Sequence, residues 1–327
     1  MSLARTLVLK TSGLAPIKYL VRKSFLFRPL VGRFIAGDTL EEALVVCEAL
    51  LARGFKVSLD YLGENTASEH EALEAKKTYI LMLERIATVP AVVKWNEEHK
   101  CSPTINESGD GIEPLNISIK LTQCGLDQGR EFAERNFREV LETARTYHNF
   151  VRVDMESSEY TQETMDMIEK VRKDYRNTAT VLQTYLHRTP ADVERVIGWG
   201  ARVRLVKGAY LEPAAVAFPE KAKVDEAYVT LGKRLLDAGT YPAFATQDPT
   251  IIDALNAYAT EQQIDKSRFE YQMLYGIRRD LQEGLLAKGY NVRIYVPFGD
   301  AWYPYFTRRL AERPANAFFI LKALFKG

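Results

Sequence analysis

Two adjacent arginines near the end of the chain have the spacing of an anion-binding helix face. Arg308 and Arg309 follow Tyr305 by four residues or fewer and precede Glu312 by a similar interval, so all four side chains can share one face of a helix. Paired guanidinium groups suit a carboxylate or a phosphate, which they hold through bidentate hydrogen bonds. On spacing alone, the alternative is a solvent-exposed helix whose charged residues pair with one another.

A third arginine lies where a guanidinium is costly. Arg204 stands among apolar residues in Val203–Val206, a short β-branched run typical of a buried strand. A buried guanidinium needs an anionic or polar partner. Two interpretations fit the sequence: an ion pair with Asp154 or Glu156 at the end of an earlier strand, or a bound electron-rich cofactor.

Eight short β-branched runs, separated by segments of helical apolar spacing, would position these side chains. The predicted strands are Phe55–Tyr61, Leu115–Leu121, Val151–Asp154, Thr180–Thr184, Val203–Val206, Pro242–Thr246, Phe269–Leu274 and Val292–Val296. Alternating strands and helices imply parallel pairing through right-handed crossovers. The eightfold count, without a GxGxxG fingerprint, predicts an α/β fold that is a single (β/α)8 barrel of the TIM type. Its active site would lie at the carboxyl ends of the strands.

The predicted barrel has additions at its amino-terminal end. Residues 1–50 are predicted to form accessory helices and residues 51–327 the barrel, with the eighth helix over the barrel mouth. Leu40–Ala52 has the clearest apolar stripe among the accessory segments. Two helix starts are also predicted, one capped by the Thr189 hydroxyl and one by Asp248, each followed by a proline.

Composition excludes several classes of protein. Lys and Arg number 44 against 43 Asp and Glu, so no global positive field favours nucleic acid. No apolar run reaches the roughly eighteen residues of a membrane span. The three cysteines form no CxxC pair and the histidines lack ligand spacing, which predicts a reducing, cytoplasmic location and no metal site. The basic segment before Asp38 is compatible with a transit peptide, a membrane-facing surface or the solvated side of packed helices.

Six segments, in this order along the chain, resemble the signature segments of the proline dehydrogenase family. They lie within roughly residues 35–320 and are Leu59–Glu64, Ile117–Leu121, Val151–Glu156, Val203–Tyr210, Gln272–Gly276 and Arg308–Asn316. Each segment alone is a weak match, whereas all six together are highly specific. The chain length is similar to that of the stand-alone bacterial enzymes rather than the bifunctional form.

The resemblance implies a flavoprotein of proline catabolism. Such an enzyme oxidises L-proline to Δ1-pyrroline-5-carboxylate by hydride transfer to non-covalently bound FAD, and passes the electrons to a membrane quinone. A peripheral contact with the inner face of the membrane would then bring enzyme and quinone together. Hydride transfer of this kind needs positioning more than acid–base groups.

The resemblance also implies roles for individual residues. Those implied for the substrate are Lys120, Arg308, Arg309, Tyr305, Leu274 and Glu64, the last as a gate that pairs with Arg308. Those implied for the cofactor are Asp154, Gln183, Arg204, Lys207, Gly208, Ala209, Tyr210, Thr246, Gln247 and Glu312. The implied catalytic residues are Arg204, Asp154 and Tyr295. Arg204 near the flavin would stabilise the negative charge that develops on reduction.

The sequence departs from the family pattern at one place. Phe244–Gln247 stands where the family commonly has Phe-Ala-Thr-His, so an amide replaces a histidine of the flavin environment. Glutamine can donate a hydrogen bond but cannot become cationic. The cofactor roles implied for Thr246 and Gln247 therefore apply with a neutral amide in place of the histidine. His187, after the fourth predicted strand, is interpreted as a loop cap rather than a flavin contact.

Two other classes of function are compatible with the residues alone. A Schiff-base aldolase also places a lysine at a strand end, and Lys120 or Lys207 could serve. Alternatively, an inert barrel could bind a membrane surface through the apolar stripe between Ile17 and Phe25 or through the run Phe318–Phe325. The clustering of charged residues at the predicted strand ends favours an enzyme.

Overall fold

The predicted strands form a closed, fully parallel barrel in this computed structural model. The structure describes residues 31–63, 66–99 and 112–312, with side chains described only as far as Thr307. The strands follow one another around the ring as β1 Lys56–Tyr61, β2 Leu115–Ile119, β3 Val151–Val153, β4 Thr178–Gln183, β5 Val203–Val206, β6 Ala243–Ala245, β7 Glu270–Leu274 and β8 Asn291–Phe298. Every predicted strand is confirmed, with boundaries that differ by at most two residues.

Helices surround the barrel and connect its strands. They are α1 Leu40–Ala52, α2 Glu69–Ile86, α3 Pro90–Glu98, α4 Arg130–Thr146, α5 Ser158–Val171, α6 Thr189–Gly198, α7 Lys221–Ala238, α8 Pro249–Glu261, α9 Arg279–Ala287 and α10 Tyr303–Glu312. The predicted helix Leu40–Ala52 is confirmed as α1. It begins at a capping box formed by Thr39 and Glu42, and it packs against β1 and β8. Helix α1 therefore covers the pair of strands that closes the barrel.

The two predicted helix starts have different outcomes. Asp248 caps α8 as predicted, because its side chain accepts a hydrogen bond from the backbone N–H of Thr250. The cap predicted at Thr189 is wrong. Thr189 lies inside α6, and its buried hydroxyl donates to the backbone carbonyl of Gln183 at the end of β4. The nearby strand end provides an acceptor that the local sequence does not show.

Side chains alternate in character along the strands, and this alternation separates two layers. Apolar side chains are fully buried against the helices at positions that include Val57, Leu59, Ile117, Ile119, Val151, Val153, Val203 and Leu205. Each such side chain contributes about 1.5–3 kcal/mol through burial. The intervening positions are polar and face the barrel interior, where the hydroxyls of Ser58 and Ser118 lie 3.0 Å apart. The barrel is thus an apolar shell around a polar interior.

Other expectations concern membrane and metal contacts. No helix in the described ranges is both long and apolar enough to cross a membrane, and no group of His, Cys, Asp or Glu there could hold a metal ion. Cys47 and Cys124 are buried, which raises the pKa of each thiol to about 12 and makes both poor nucleophiles. The apolar stripe between Ile17 and Phe25 and the run Phe318–Phe325 lie outside the described residues.

Candidate active site

A cavity of about 780 Å³ opens at the carboxyl ends of the strands, and α10 borders it through Pro304 and Tyr305. Each predicted site residue whose side chain the structure describes borders this cavity: Lys120, Asp154, Gln183, Arg204, Lys207, Gly208, Ala209, Tyr210, Thr246, Gln247, Leu274, Tyr295 and Tyr305. The side chains of Arg308, Arg309 and Glu312 and the whole of Glu64 lie outside the described residues. The size and the mixed lining are those of a site for a large organic ligand.

Arg204 lies at the floor of the cavity and is held by three neighbouring side chains. Its Nη1 pairs with Asp154 Oδ1 at 2.5 Å, its Nη2 donates to Ser118 Oγ at 3.0 Å, and its Nε donates to Gln272 Oε1. The guanidinium carbon lies 5.2 Å from the centre of the Tyr295 ring. Arg204 is only 5% exposed. The ion-pair interpretation is therefore realised with Asp154, and the guanidinium is fixed in a position that still faces the cavity.

Asp154 connects Arg204 to Tyr295. Its Oδ2 accepts a hydrogen bond from the Tyr295 hydroxyl at 2.7 Å. Burial, followed by the charge of Asp154, raises the pKa of Tyr295 well above its usual value, so the phenol stays neutral and acts as the donor. Glu156, the other anion considered for Arg204, accepts instead from Thr122 Oγ1 at 2.6 Å. The arrangement supplies a rigid cation, anion and phenol on one side of the cavity.

Lys120 forms a second ion pair at the strand ends. Its Nζ lies 3.0 Å from Asp60 Oδ1, and both side chains are buried. Burial raises the pKa of the Asp60 carboxyl, Lys120 opposes that rise, and the charge of Asp154 adds to it. Asp60 borders the cavity but was not predicted as a site residue. Its place near the carboxyl end of β1 follows from the sequence, whereas its pairing with Lys120 does not.

Both lysines considered for Schiff-base chemistry are paired with carboxylates. Lys120 has Asp60, and Lys207 Nζ lies 2.5 Å from Asp225 Oδ1 and 2.9 Å from Asp248 Oδ2. A Schiff-base lysine must present a free amine to a carbonyl carbon, whereas both side chains here are directed at carboxylates. The geometry therefore disfavours the aldolase alternative. An ammonium group is instead suited to an anionic part of a ligand.

Gln183, at the end of β4, presents an uncommitted acceptor. Its Nε2 donates to the backbone carbonyl of Glu156 at 3.2 Å, whereas its buried Oε1 has no partner among the described residues. Leaving a buried acceptor unsatisfied is costly. Because Gln183 borders the cavity, its Oε1 is suited to accept a hydrogen bond from an N–H group of a ligand.

The loop after β5 forms one edge of the cavity. Gly208 has a φ of +115°, and a side chain there would collide with the ring of Tyr185, so the position requires glycine. Further along, the carboxylate of Glu212 accepts from Ser158 through its backbone N–H at 2.8 Å and its hydroxyl at 2.5 Å. Gly208 and Glu212 thus anchor the loop whose residues 207–210 border the cavity.

The segment after β6 contains the predicted departure from the family pattern. Thr246 Oγ1 accepts a hydrogen bond from the backbone N–H of Asp248 at 3.1 Å, and Gln247 is half-buried at the cavity edge. His187 lies elsewhere: its Nε2 is 3.0 Å from the carbonyl oxygen of Ala214, and it is not among the residues that border the cavity. That position agrees with the interpretation of His187 as a loop cap.

A second charged layer lies beneath the cavity floor and was not predicted. Glu113 pairs with Arg202 at 2.7 Å and with Arg293 at 3.6 Å, and Arg293 also pairs with Glu270 at 2.8 Å. Burial alone would raise the pKa of Glu113, but Arg202 and Arg293 lower it to about 2. Gln272 joins the two layers, because its Nε2 donates to Glu270 Oε1 while its Oε1 accepts from Arg204.

The sequence contains a signal for this second layer. Polar residues recur at every second position of several strands, which is the period of residues that share one face of a strand. The alternating pairs are Ser58 and Asp60, Arg152 and Asp154, Arg202 and Arg204, Glu270 and Gln272, and Arg293 and Tyr295. A polar face along the length of the strands, and not only at their ends, indicates a polar barrel interior.

Comparison with known proteins gives a consistent set of similarities. The family model described as proline dehydrogenase matches residues 43–322. Proline dehydrogenase 1 of Bacillus subtilis (strain 168) is 39% identical over 294 residues, which are 90% of this chain and 90% of that protein. Proline dehydrogenase of Deinococcus radiodurans is 37% identical over 303 residues, 91% of each chain.

A solved structure has the same fold over nearly the whole chain. Proline utilization A from Bdellovibrio bacteriovorus, crystallised after inactivation by N-propargylglycine, superposes with a TM-score of 0.79 at 25% sequence identity. The alignment covers 95% of this chain and 37% of that one. This chain therefore corresponds to little more than a third of that larger protein, whereas it spans most of the Bacillus and Deinococcus relatives.

Proposed function

This chain belongs to the proline dehydrogenase family, and from that premise we propose that it oxidises L-proline to Δ1-pyrroline-5-carboxylate with FAD as its cofactor. The observation that carries the proposal is the cavity floor. There a guanidinium, Arg204, is fixed by Asp154, Ser118 and Gln272 beneath about 780 Å³ of space at the carboxyl ends of the strands. A preorganised cation of this kind stabilises negative charge that develops during a reaction.

The residues around the cavity fit a flavin. The unsatisfied Oε1 of Gln183 matches the N–H group on the pyrimidine edge of the ring system, and Arg204 offers a cation to its electron-rich centre. On the cofactor side we propose Asp154, Lys207, Gly208, Ala209, Tyr210, Thr246, Gln247 and Glu312. When bound, the flavin supplies the two-electron acceptor for the oxidation.

The remaining residues are proposed to hold proline. Its carboxylate would bind the Lys120 ammonium together with Arg308 and Arg309 on α10. The aromatic faces of Tyr305 and Tyr295 would enclose the ring, with Leu274 beside it and Glu64 as a gate. With its carboxylate and both ring faces held, proline would have one orientation for the carbon next to nitrogen. Such positioning can supply a large part of the reduction in the activation barrier.

We also propose a membrane quinone as the final electron acceptor. Quinones of this kind dissolve in lipid, and the described helices include none that could span a membrane, so the enzyme would work as a peripheral protein at the inner face of the membrane. Residues 1–50, proposed as accessory helices beside the barrel of residues 51–327, carry the basic amphipathic stripe that suits an anionic surface.

Substrate comparison with a soluble dye acceptor tests the proposed reaction without requiring a membrane. L-Proline should be oxidised, and a chemical trap for cyclic imines should capture the product. Pyrrolidine, which lacks the carboxylate, should be a far poorer substrate because it offers no anion to Lys120 and the two arginines. Equal oxidation of the two amines would contradict the proposed binding mode. Covalent trapping of a carbonyl substrate by borohydride would instead favour the aldolase.

A further inference from the structure

The interior of the barrel contains more cations than the carboxylates that pair with them. Four carboxylates form ion pairs there, each with a different cation: Asp154 with Arg204, Asp60 with Lys120, Glu113 with Arg202, and Glu270 with Arg293. Arg152 on β3 is left over. Among the described residues, none of the ion pairs involves its guanidinium.

Arg152 is nevertheless deeply buried, with 2% exposure. Its Nη1 donates to the backbone carbonyl of Thr180 at 3.2 Å, and no described group accepts from its Nε. The guanidinium carbon stacks 5.1 Å from the centre of the Phe150 ring, and Arg202 stacks on that ring at 4.6 Å. Burial, followed by the charge of nearby Arg204, lowers the pKa of Arg152 to about 9, although the charges of Glu270 and Glu113 act in the opposite direction, so it remains charged at neutral pH.

The position of Arg152 places its charge just beneath the cavity floor. Ser118 is its register partner on β2, and the Ser118 hydroxyl accepts a hydrogen bond from Arg204. Asp154, two residues further along β3, pairs with the same Arg204. Arg152 itself is not among the residues that border the cavity. It can therefore act on a bound ligand only through its field.

A buried cation that lacks a direct ion pair lowers stability, and perturbed charged groups of this kind cluster at functional sites. Arg204 touches the cavity, but Asp154 neutralises it, and Asp60 neutralises Lys120. Arg152 therefore adds a positive charge beneath the cavity that no described carboxylate contacts directly. Lys56, half-buried at the opposite end of the barrel, adds to this positive charge rather than offsetting it.

We propose that Arg152 is an electrostatic residue of the site: from beneath the floor it favours the electron-rich, reduced form of the bound flavin over the oxidised form. This inference rests on the proposed function, since it takes a flavin above Arg204 as given. It predicts that Arg152 lowers the stability of the folded protein, whereas the paired arginines around it raise that stability.

The test uses two neutral variants, Arg152→Met and Arg152→Gln, and one matched control, Arg202→Met. The control removes a guanidinium that stacks on the same phenylalanine but is paired with Glu113. Both Arg152 variants should favour reduced flavin roughly tenfold less than the parent, which lowers the two-electron potential by about 30 mV. The urea midpoint of flavin-free Arg152→Met should rise, whereas that of Arg202→Met should fall because Glu113 loses a partner.

Each result either supports or overturns the proposed role of Arg152. If the parent protein binds no flavin, the proposed function fails and the inference fails with it. If the parent binds flavin but both neutral variants keep its potential, the inference alone is wrong. A fall in the urea midpoint of Arg152→Met comparable to that of Arg202→Met, or failure of both Arg152 variants to fold, would identify Arg152 as a structural cation and overturn the proposal.

Discussion

The ion pair between Arg204 and Asp154 allows structural and cofactor roles to be separated in one experiment. The variants are Arg204→Met, Asp154→Asn and the double variant. In Arg204→Met, the Asp154 carboxylate keeps only the Tyr295 hydroxyl as a described partner. In the double variant, neither charge of this pair remains, because cation and anion are removed together.

The structure sets the size of these effects. Removing one partner of a buried ion pair lowers the free energy of unfolding by about 3–5 kcal/mol. Because the Asp154 side chain is 14% exposed, the effect of Arg204→Met should lie at the lower end of this range, about 3 kcal/mol. Groups in direct contact couple by about 0.5–3 kcal/mol. The double variant should therefore be more stable than Arg204→Met by about 2 kcal/mol. Arg234→Met, which breaks the exposed pair with Glu194, is the control and should leave the stability nearly unchanged, because solvent screens exposed ion pairs.

Two assays follow the two roles. Urea denaturation of the flavin-free protein measures stability, and titration with FAD measures cofactor affinity. If Arg204 contacts the flavin, affinity should stay about tenfold or more below the parent in the double variant, because a hydrogen bond from a charged group contributes about 1.5–3 kcal/mol. Recovery of both stability and FAD affinity in the double variant would refute the cofactor role. A loss below about 1 kcal/mol in Arg204→Met would refute the ion-pair reasoning.

Three further predictions concern the buried carboxylate Glu113, the two adjacent arginines Arg308 and Arg309, and the amino-terminal residues 1–28. Glu113→Gln should lower the free energy of unfolding by about 3 kcal/mol, because the pKa of Glu113 is about 2 in the folded protein and 4.5 ordinarily. In the parent, this contribution should be lost as the pH falls from about 4.5 towards 2, which lowers the urea midpoint. The urea midpoint of the variant should not show that loss. Arg308→Met and Arg309→Met should each weaken apparent proline affinity by about 2–5 kcal/mol, mostly in KM, and an unchanged KM in both would exclude a carboxylate clamp. Removing residues 1–28 should abolish the salt-sensitive sedimentation of the protein with anionic vesicles, and also the stimulation of quinone reduction by those vesicles. Dye-linked proline oxidation should persist. If the truncated protein still binds vesicles, the membrane contact lies elsewhere.

The strands were predictable from the sequence because their local signal is strong. Val203–Val206 is bounded as predicted, and the seven other strands differ by a residue or two at their ends. In a parallel barrel each strand is covered by helices, so β-branched runs between helical segments are required at every strand. Closure of the ring follows from the count of eight. Thr189 shows the limit of this reasoning, since a tertiary acceptor overrode a locally plausible cap.

The pairing of side chains inside the barrel was less predictable. That Arg204 would need a partner such as Asp154, Glu156 or a bound cofactor could be inferred, because a buried guanidinium requires an anionic or polar group. That Glu113 would lie between Arg202 and Arg293 could not, since Glu113 precedes β2 and only the closed ring brings it to β5 and β8. Contacts across a barrel depend on strand tilt and stagger, which no local pattern specifies.

An anaerobic titration of the purified protein with L-proline, followed by visible absorption, tests the central claim most directly. We predict a bound flavin whose visible absorption band is bleached by L-proline and left unchanged by the same concentration of pyrrolidine. A colourless protein that FAD does not reconstitute, or a flavin band that L-proline leaves intact, would contradict the assignment of this cavity as the site of proline oxidation.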